Sequence, residues 1–275
     1  MPELPEVETI VRGLARRVTG DTIDSVWIGS RPQPLKSPAA AIVRTLTGAS
    51  MAAVRRMGKH IVIDLAAVQG RSKQGAAAQW IVHLGMTGRL LICQPGDEVE
   101  KHTHAIARLA SGRELRFVDP RMFGKLSVVT GTEFSAAGSE PLDVSLEHFA
   151  ELFHRSKAPI KSALLNQKLL RGVGNIYADE SLFRAGVRPR RRAHTLTRAE
   201  IRRLYDSVRR VLNEAIAAGG SSVSDYVDAS GDRGFFQLRH RVYGREGKGC
   251  LRCRTPIKRV VIGGRSSHYC PKCQR

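Results

Sequence analysis

Val7, Ile10, Val11, Leu14 and Val18 recur at three- and four-residue spacing, which predicts an amphipathic helix over residues 5–18 with one buried face. After Gly20 the period changes. Residues 23–28, 60–65, 80–84, 89–93, 104–109 and 114–118 are short β-prone runs, divided by turn signals at Gly70, Gly75, Ser111-Gly112 and Asp119-Pro120. Residues 113–118 alternate charged and apolar side chains over most of their length, as a half-buried strand does. The pattern to about residue 130 therefore predicts a mostly antiparallel β domain led by a helix. Residues 131–145, with Gly138 and Pro141, lack periodicity and are expected to form a linker. Beyond them the period is helical: 146–153, 159–165 with Pro159 in a first turn, 175–185 closed by Gly186, and 197–217. The last is the clearest. Thr197 and Glu200 form a capping box, Ile201, Leu204, Val208, Val211 and Leu212 form one stripe, and Gly219-Gly220 ends it. Residues 221–234 are small and polar, as a mobile loop would be.

A chain of 275 residues, 42% of them hydrophobic, can bury a sizeable core and divides more naturally into two domains with a small appendage than into one. Charge adds a partner. Lys and Arg number 45 against 25 Asp and Glu, a formal net of +20. That imbalance suits a polyanion better than an acidic small molecule, and nucleic acid better than an anionic membrane, because each neutralised phosphate releases counterions. The acidic opening Glu3, Glu6 and Glu8 is unlike a secretion signal, and no apolar stretch approaches the ~20 residues of a membrane helix. A soluble intracellular protein with no membrane partner is expected.

Three stretches carry candidate chemistry. Cys250-x2-Cys253 and Cys270-x2-Cys273 are separated by 16 residues, a spacing that lets two knuckles present four thiolates to one structural Zn²⁺ across a β-hairpin. The hairpin carries Lys258, Arg259 and Arg265, with Arg265 following Gly263-Gly264 at its expected tip, so it can offer an Arg to a DNA groove. Gly172-Val173-Gly174-Asn175 precedes an apolar helix that Asn175 can cap, leaving free N–H groups for a phosphate. At the amino end, Met1-Pro2-Glu3-Leu4-Pro5-Glu6 reads on its own as a helix entry with favourably placed acids. A second reading is a nucleophile: removal of Met1 exposes a secondary amine, less basic than a lysine, that can attack a sugar C1′ while Glu3 moves protons.

Met1 to Thr9, Arg55-Arg56-Met57-Gly58-Lys59, His83-Leu84-Gly85-Met86-Thr87-Gly88, Lys101-His102-x-His104, Asp119-Pro120-Arg121-Met122-Phe123-Gly124, residues 172–183 and the tail from Tyr243-Gly244-Arg245 resemble, in that order, the formamidopyrimidine-DNA glycosylase family of bacterial repair enzymes. The likeness runs over essentially the whole chain. It implies an α+β fold: an N-terminal antiparallel β-sandwich with flanking helices (1–134), a helical DNA-binding domain with a helix–two-turns–helix motif (145–240), and a four-cysteine zinc-finger β-hairpin (241–275). It implies that Pro2 forms a Schiff base, that Glu3 acts in acid–base catalysis, that Lys59 gives a proton or contacts phosphate, that Arg265 contacts phosphate and assists δ-elimination, and that Glu6 orients the site. Met86, Arg121 and Phe123 would fill the gap left by a flipped nucleotide, although Met86 and Phe123 alone would pass for core residues. His102, Lys157 and Asn175 would contact phosphates together with Arg121, and residues 220–226 would close over the extruded base.

The implied enzyme excises 8-oxoguanine and formamidopyrimidines from duplex DNA and then cleaves the abasic site by β,δ-elimination, as a monomer in a bacterial cytoplasm and associated with the nucleoid. Two positions depart from the family pattern: His60, where Tyr or an apolar residue is common, and Ser224, where some members carry Lys. Two alternatives stand beside it, an endonuclease VIII-like enzyme for oxidised pyrimidines and a non-catalytic damaged-DNA-binding zinc protein. Leu4, where the pyrimidine-specific relatives usually have Gly, and the intact set Pro2, Glu3 and Lys59 argue against them.

Overall fold

The protein is described here by a computed structural model covering residues 1–66, 78–223 and 226–275. The turns expected at Gly70 and Gly75, and the departure at Ser224, lie outside the described residues. The chain divides into two compact units, Met1–Ser135 with Gly219–Gly234, and Ala136–Ala218 with Phe235–Arg275.

The first unit opens with α1 (Leu4–Val18), followed by β1 (Ile23–Ile28), α2 (Ala39–Leu46), β2 (Ser50–Met57), β3 (His60–Ala66), β4 (Ala78–His83), β5 (Arg89–Cys93), β6 (Thr103–Leu109), β7 (Glu114–Val118) and β8 (Lys125–Thr130). The strands form two four-stranded antiparallel sheets, in the orders β1-β6-β7-β5 and β2-β3-β4-β8. Val7, Ile10, Val11 and Leu14 of α1, Ile61 and Ile63 of β3, Trp80 and Val82 of β4, and Leu115 and Phe117 of β7 share one core. The helical stripe read from the sequence is thus the face that covers the sheets.

Periodicity did not reveal α2, β2 or β8. The sequence Ser-Met-Ala-Ala-Val-Arg-Arg-Met of β2 has no clean alternation, and its strand character comes from pairing with β3 at Arg55↔Val62 and Arg56↔Ile61. Another surprise is the returning segment. Residues 221–234, expected as a mobile loop, fall within this unit, and Tyr226 and Ala229 are buried in its core. The backbone N–H of Ile92 in β5 donates to the Ala229 carbonyl, so the segment docks beside that strand.

The second unit holds α3 (Leu146–His154), α4 (Ile160–Leu165), α5 (Asn175–Ala185) and α6 (Arg198–Ala217), then the hairpin of β9 (Lys258–Ile262) and β10 (Arg265–Tyr269). Thr197 caps α6 and exchanges hydrogen bonds with Glu200, as the capping box predicts. The stripe Ile201, Leu204, Val208, Val211 and Leu212 is buried. The expected linker is only partly one. Its second half is fastened within this unit, where Arg171 donates to the Ala136 carbonyl and to Glu140, and the Ser139 N–H donates to the Leu169 carbonyl. Among the described residues, no helix is long and apolar enough to cross a membrane.

Candidate functional site

Pro2 is buried and leads directly into α1, whose N-cap is Glu3. The Glu3 N–H donates to Glu6 Oε2 at 2.8 Å, closing a capping box, and both carboxylates are buried. Two acids at the positive end of a helix dipole are electrostatically compatible with that burial. Glu6 is also the anchor of the returning segment: its Oε1 accepts from the Ser221 N–H at 2.7 Å, and its carbonyl accepts from the Tyr226 hydroxyl at 3.3 Å. That hydroxyl also reaches the Gly219 carbonyl at 3.1 Å. Burial, and then the Glu6 charge, push the Tyr226 phenol well above its ordinary range, so it stays a neutral donor. Gly220 makes the approach possible. It has φ +83, and a Cβ there would lie 2.9 Å from Glu6 Oε1 and 3.0 Å from Glu6 Cγ.

Lys59 follows Gly58 in the tight turn joining β2 to β3, and it is buried. The turn is tied towards α1 by Arg56, which donates to Glu8 at 2.9 Å. Burial pushes the Glu8 carboxyl up, but its bonds to Arg12 and Arg56 outweigh that and leave it below its ordinary value. His83 packs on His60 with ring centroids 4.9 Å apart. Burial, then the neighbouring charges of His60 and Lys59, lower the His83 pKa to about 4. Its Nδ1 accepts from the Gly85 N–H at 3.1 Å, which requires an unprotonated nitrogen.

The proposed gap-filling residues sit on two short loops held by one carboxylate. Asp119 is fully buried. Its Oδ1 accepts from the Thr87 hydroxyl at 2.5 Å and the Arg121 N–H at 3.3 Å, and its Oδ2 from the Gly124 N–H at 2.7 Å. The Asp119 N–H donates to the His102 carbonyl at 2.9 Å, and His104 Nε2 meets the Asp119 carbonyl at 2.9 Å. Met86 and Phe123, which could pass for core residues, are instead 41% and 51% exposed. The Arg121 guanidinium lies 4.9 Å from the Phe123 ring centroid. Arg121 and His102 are exposed. The Asp-Pro-Arg string marked this loop in the sequence, but not the dependence of both loops on Asp119.

In the second unit Asn175 does not cap α5. Gly174 occupies the N-cap and Asn175 is the first helical residue, so its Nδ2 donates instead to Ser266 Oγ at 3.3 Å. Lys157 is exposed ahead of α4. Gly263 and Gly264, at φ +55 and +73, make the two-residue turn between β9 and β10, and Arg265 stands exposed at the start of β10. The buried charges Lys161, Asp179 and Glu180 were not singled out from the sequence, although Asp179-Glu180 stands out as a pair of acids within an otherwise mostly apolar α5.

The four sulfurs of Cys250, Cys253, Cys270 and Cys273 lie within 4.8 Å of one another, with Cys250–Cys273 at 3.9 Å and Cys253–Cys270 at 3.4 Å. A tetrahedral ion with Zn–S bonds of ~2.3 Å spaces its sulfurs ~3.8 Å apart. The N–H groups of Arg252 and Cys273 point at the sulfurs of Cys250 and Cys270, each at 3.4 Å. The donor set therefore fits one thiolate-bound ion. Phe183, Val242 and Ile257 pack around it.

Comparison with known proteins agrees with this arrangement. Residues 1–126 match the formamidopyrimidine-DNA glycosylase N-terminal domain, residues 137–227 the formamidopyrimidine-DNA glycosylase H2TH domain, and residues 247–275 the zinc finger found in FPG and IleRS. The chain is 45% identical to the formamidopyrimidine-DNA glycosylase of Solibacter usitatus and 41% identical to that of Thioalkalivibrio sulfidiphilus, each over 100% of both chains. Among solved structures it resembles a mutant Lactococcus lactis FPG in complex with Fapy-dG-containing DNA, with TM-score 0.90, 32% identity and 100% of both chains covered. It also resembles the complex of Lactococcus lactis Fpg with abasic-site DNA, with TM-score 0.89, 31% identity and 99% of both chains covered. With a β unit bearing buried acids behind Pro2, a helical unit and a four-cysteine finger all matched along its whole length, the chain belongs to the formamidopyrimidine-DNA glycosylase family.

Proposed function

We propose that the protein excises 8-oxoguanine and formamidopyrimidines from duplex DNA and then cuts the strand at the abasic site. The observation that carries this reading is the amino end of α1, where Pro2 is followed at once by the two buried carboxylates Glu3 and Glu6. With Met1 removed, Pro2 is a secondary α-amine, a class with a pKa of about 8, so a fraction is neutral near pH 7. Its lone pair attacks C1′ of the damaged nucleoside, the glycosidic C–N bond breaks, and the base leaves with a proton. The sugar ring opens to an iminium at C1′, with Glu3 moving the proton between the ring oxygen and its surroundings.

The iminium acidifies C2′. Loss of that proton and cleavage of C3′–O expel the 3′ phosphate. Loss of the C4′ proton and cleavage of C5′–O then expel the 5′ phosphate, and water releases Pro2. Lys59 gives a proton or holds the phosphate beside the lesion, and Arg265 neutralises phosphate charge during the second elimination. Glu6 orients the site and fastens the returning segment by accepting from the Ser221 N–H and the Tyr226 hydroxyl. Met86, Arg121 and Phe123 fill the vacated stack. His102, Lys157 and Asn175 contact backbone phosphates. Zn²⁺ held by Cys250, Cys253, Cys270 and Cys273 supplies a rigid base for the hairpin and no chemistry.

Borohydride reduction in the presence of 8-oxoguanine duplex should trap the protein covalently on DNA. Trapping that persists unchanged in a protein whose amino terminus is extended by an uncleaved residue, which turns the Pro2 nitrogen into an amide, rules out Pro2 as the nucleophile. Parallel assays on thymine glycol duplex separate the purine reading from a pyrimidine one.

A further inference from the structure

Among the buried charges of the second unit, Lys161 and Asp179 face the hairpin and have no part in the chemistry above. Lys161 on α4 has 0% exposure and Asp179 on α5 has 1%. The Lys161 ammonium lies 2.6 Å from Asp179 Oδ1 and donates to the Ser266 carbonyl at 2.5 Å. The other Asp179 oxygen accepts from the His268 N–H at 2.8 Å and lies 3.2 Å from His268 Nδ1. Asn175 donates to Ser266 Oγ. At the hairpin tip, a Cβ on Gly263 would come within 3.0 Å of Ser162 Oγ, so the turn rests against α4. All of these contacts converge on the hairpin, at or near the residues next to Arg265.

A buried ion pair adds little stability over apolar side chains of equal volume, because desolvation offsets the Coulomb gain. What it does supply is direction. Sealed from water, the ammonium and the carboxylate must complete their hydrogen bonds with fixed protein groups, and here each spends one on the backbone of β10. That strand needs such help. Among the described residues it pairs only with β9, and an isolated two-stranded hairpin is marginal in water. The zinc cysteines grip the hairpin at its far end, Cys270 lying five residues from Arg265, whereas Ser266 and His268 lie one and three residues away.

We propose that Lys161 and Asp179 are positioning residues that hold Arg265 in place through the Ser266 carbonyl and the His268 N–H. This rests on the part given to Arg265 in the second elimination. Positioning matters at the reacting phosphate, since a displacement of about 1 Å can cost ~100-fold in rate.

The test uses the full-length, zinc-loaded protein. Lys161→Met alone leaves an uncompensated buried carboxylate, so Lys161→Met/Asp179→Asn, which removes both charges, is made beside it to keep the fold. On a preformed abasic-site duplex, the ratio of doubly to singly eliminated ends should fall about tenfold in the double variant, in the direction of Arg265→Ala. In the Arg265→Ala background the double change should lower it no further, because residues acting through one another are not additive. Amide exchange at His268 should quicken at least about tenfold while α6 stays protected. Should Arg265→Ala shift the ratio and the double variant leave it alone, or should the two effects add, the positioning role is wrong. Should Arg265→Ala itself change nothing, the role of Arg265 falls instead. Exchange then decides the clamp by itself: unchanged protection at His268 overturns it, and quickened exchange upholds the clamp without the catalytic consequence.

Discussion

Asp119→Ala is the substitution expected to reveal most about the first unit. The carboxylate is fully buried and ties together residues 84–88 and 119–124 by accepting from Thr87 Oγ1, the Arg121 N–H and the Gly124 N–H. Truncation leaves the Thr87 hydroxyl and the Gly124 N–H without their acceptor, at about 1–3 kcal/mol each. The 3.3 Å bond to Arg121 adds little. Relief of the desolvated charge offsets part of this, so a net loss of about 3 kcal/mol is expected, a large share of the 5–15 kcal/mol typical of a folded domain.

Both tryptophans, Trp27 and Trp80, belong to the first unit, so fluorescence follows that unit alone. With a urea slope of about 2 kcal/mol per molar, the midpoint should fall by about 1.5 M. Asp119→Asn is the control. Its amide oxygen can serve Gly124, and its NH₂ can donate to the Thr87 hydroxyl, which is able to accept, so about 1 kcal/mol is expected. Met86→Ala and Phe123→Ala, at half-exposed positions, should leave the midpoint within ~0.5 kcal/mol yet weaken binding to lesion duplex. An Asp119→Ala midpoint within ~0.3 M of the parent would refute the premise that this carboxylate carries both loops.

Three further outcomes are expected. Acid should destabilise both units: burial holds His83 in the first and His240 in the second at about 4, against 6.5 when unfolded, so the unfolded chain takes up the proton first. Stability is then full above pH 6.5 and lost as pH falls towards 4, by about 3 kcal/mol for each histidine. His83→Asn, which keeps an acceptor for the Gly85 N–H, should flatten the acid limb of the fluorescence transition, and an unchanged limb would contradict the assignment. Removing the metal with a chelator, or Cys253→Ser, should abolish DNA binding while the tryptophan-reported transition stays put, because the folding free energy of the finger is that of its metal. Unchanged affinity after verified metal loss would sink this. Affinity for duplex should fall with salt at a log–log slope of about −4.5 if about five phosphates are neutralised, and a flat response would rule out backbone recognition by the basic side chains.

Much of the site's framework was legible because its signals are local. The α1 stripe, the Thr197–Glu200 box, the Gly263-Gly264 turn and the two Cys-x2-Cys knuckles are each written within a few residues, on the scale over which periodicity, capping and turn chemistry act. Family resemblance chose the nucleophile reading of Pro2 and Glu3 over the helix entry and added Lys59. Pro2-Glu3 alone is a helix entry, and Met86 and Phe123 alone are apolar side chains that only the fold exposes.

Tertiary structure decided what long-range packing decides. Gly174 and not Asn175 caps α5, because Asn175 is drawn to Ser266, 91 residues away. Tyr226 and Ala229 enter the first unit although helices lie between them and its strands in the chain. Glu6 closes a capping box that the sequence can spell, but its second oxygen holds Ser221, 215 residues on. A carboxylate's local partner follows from backbone geometry within one helical turn. Its distant partner exists only once the core has formed and excluded the water that would otherwise take that hydrogen bond.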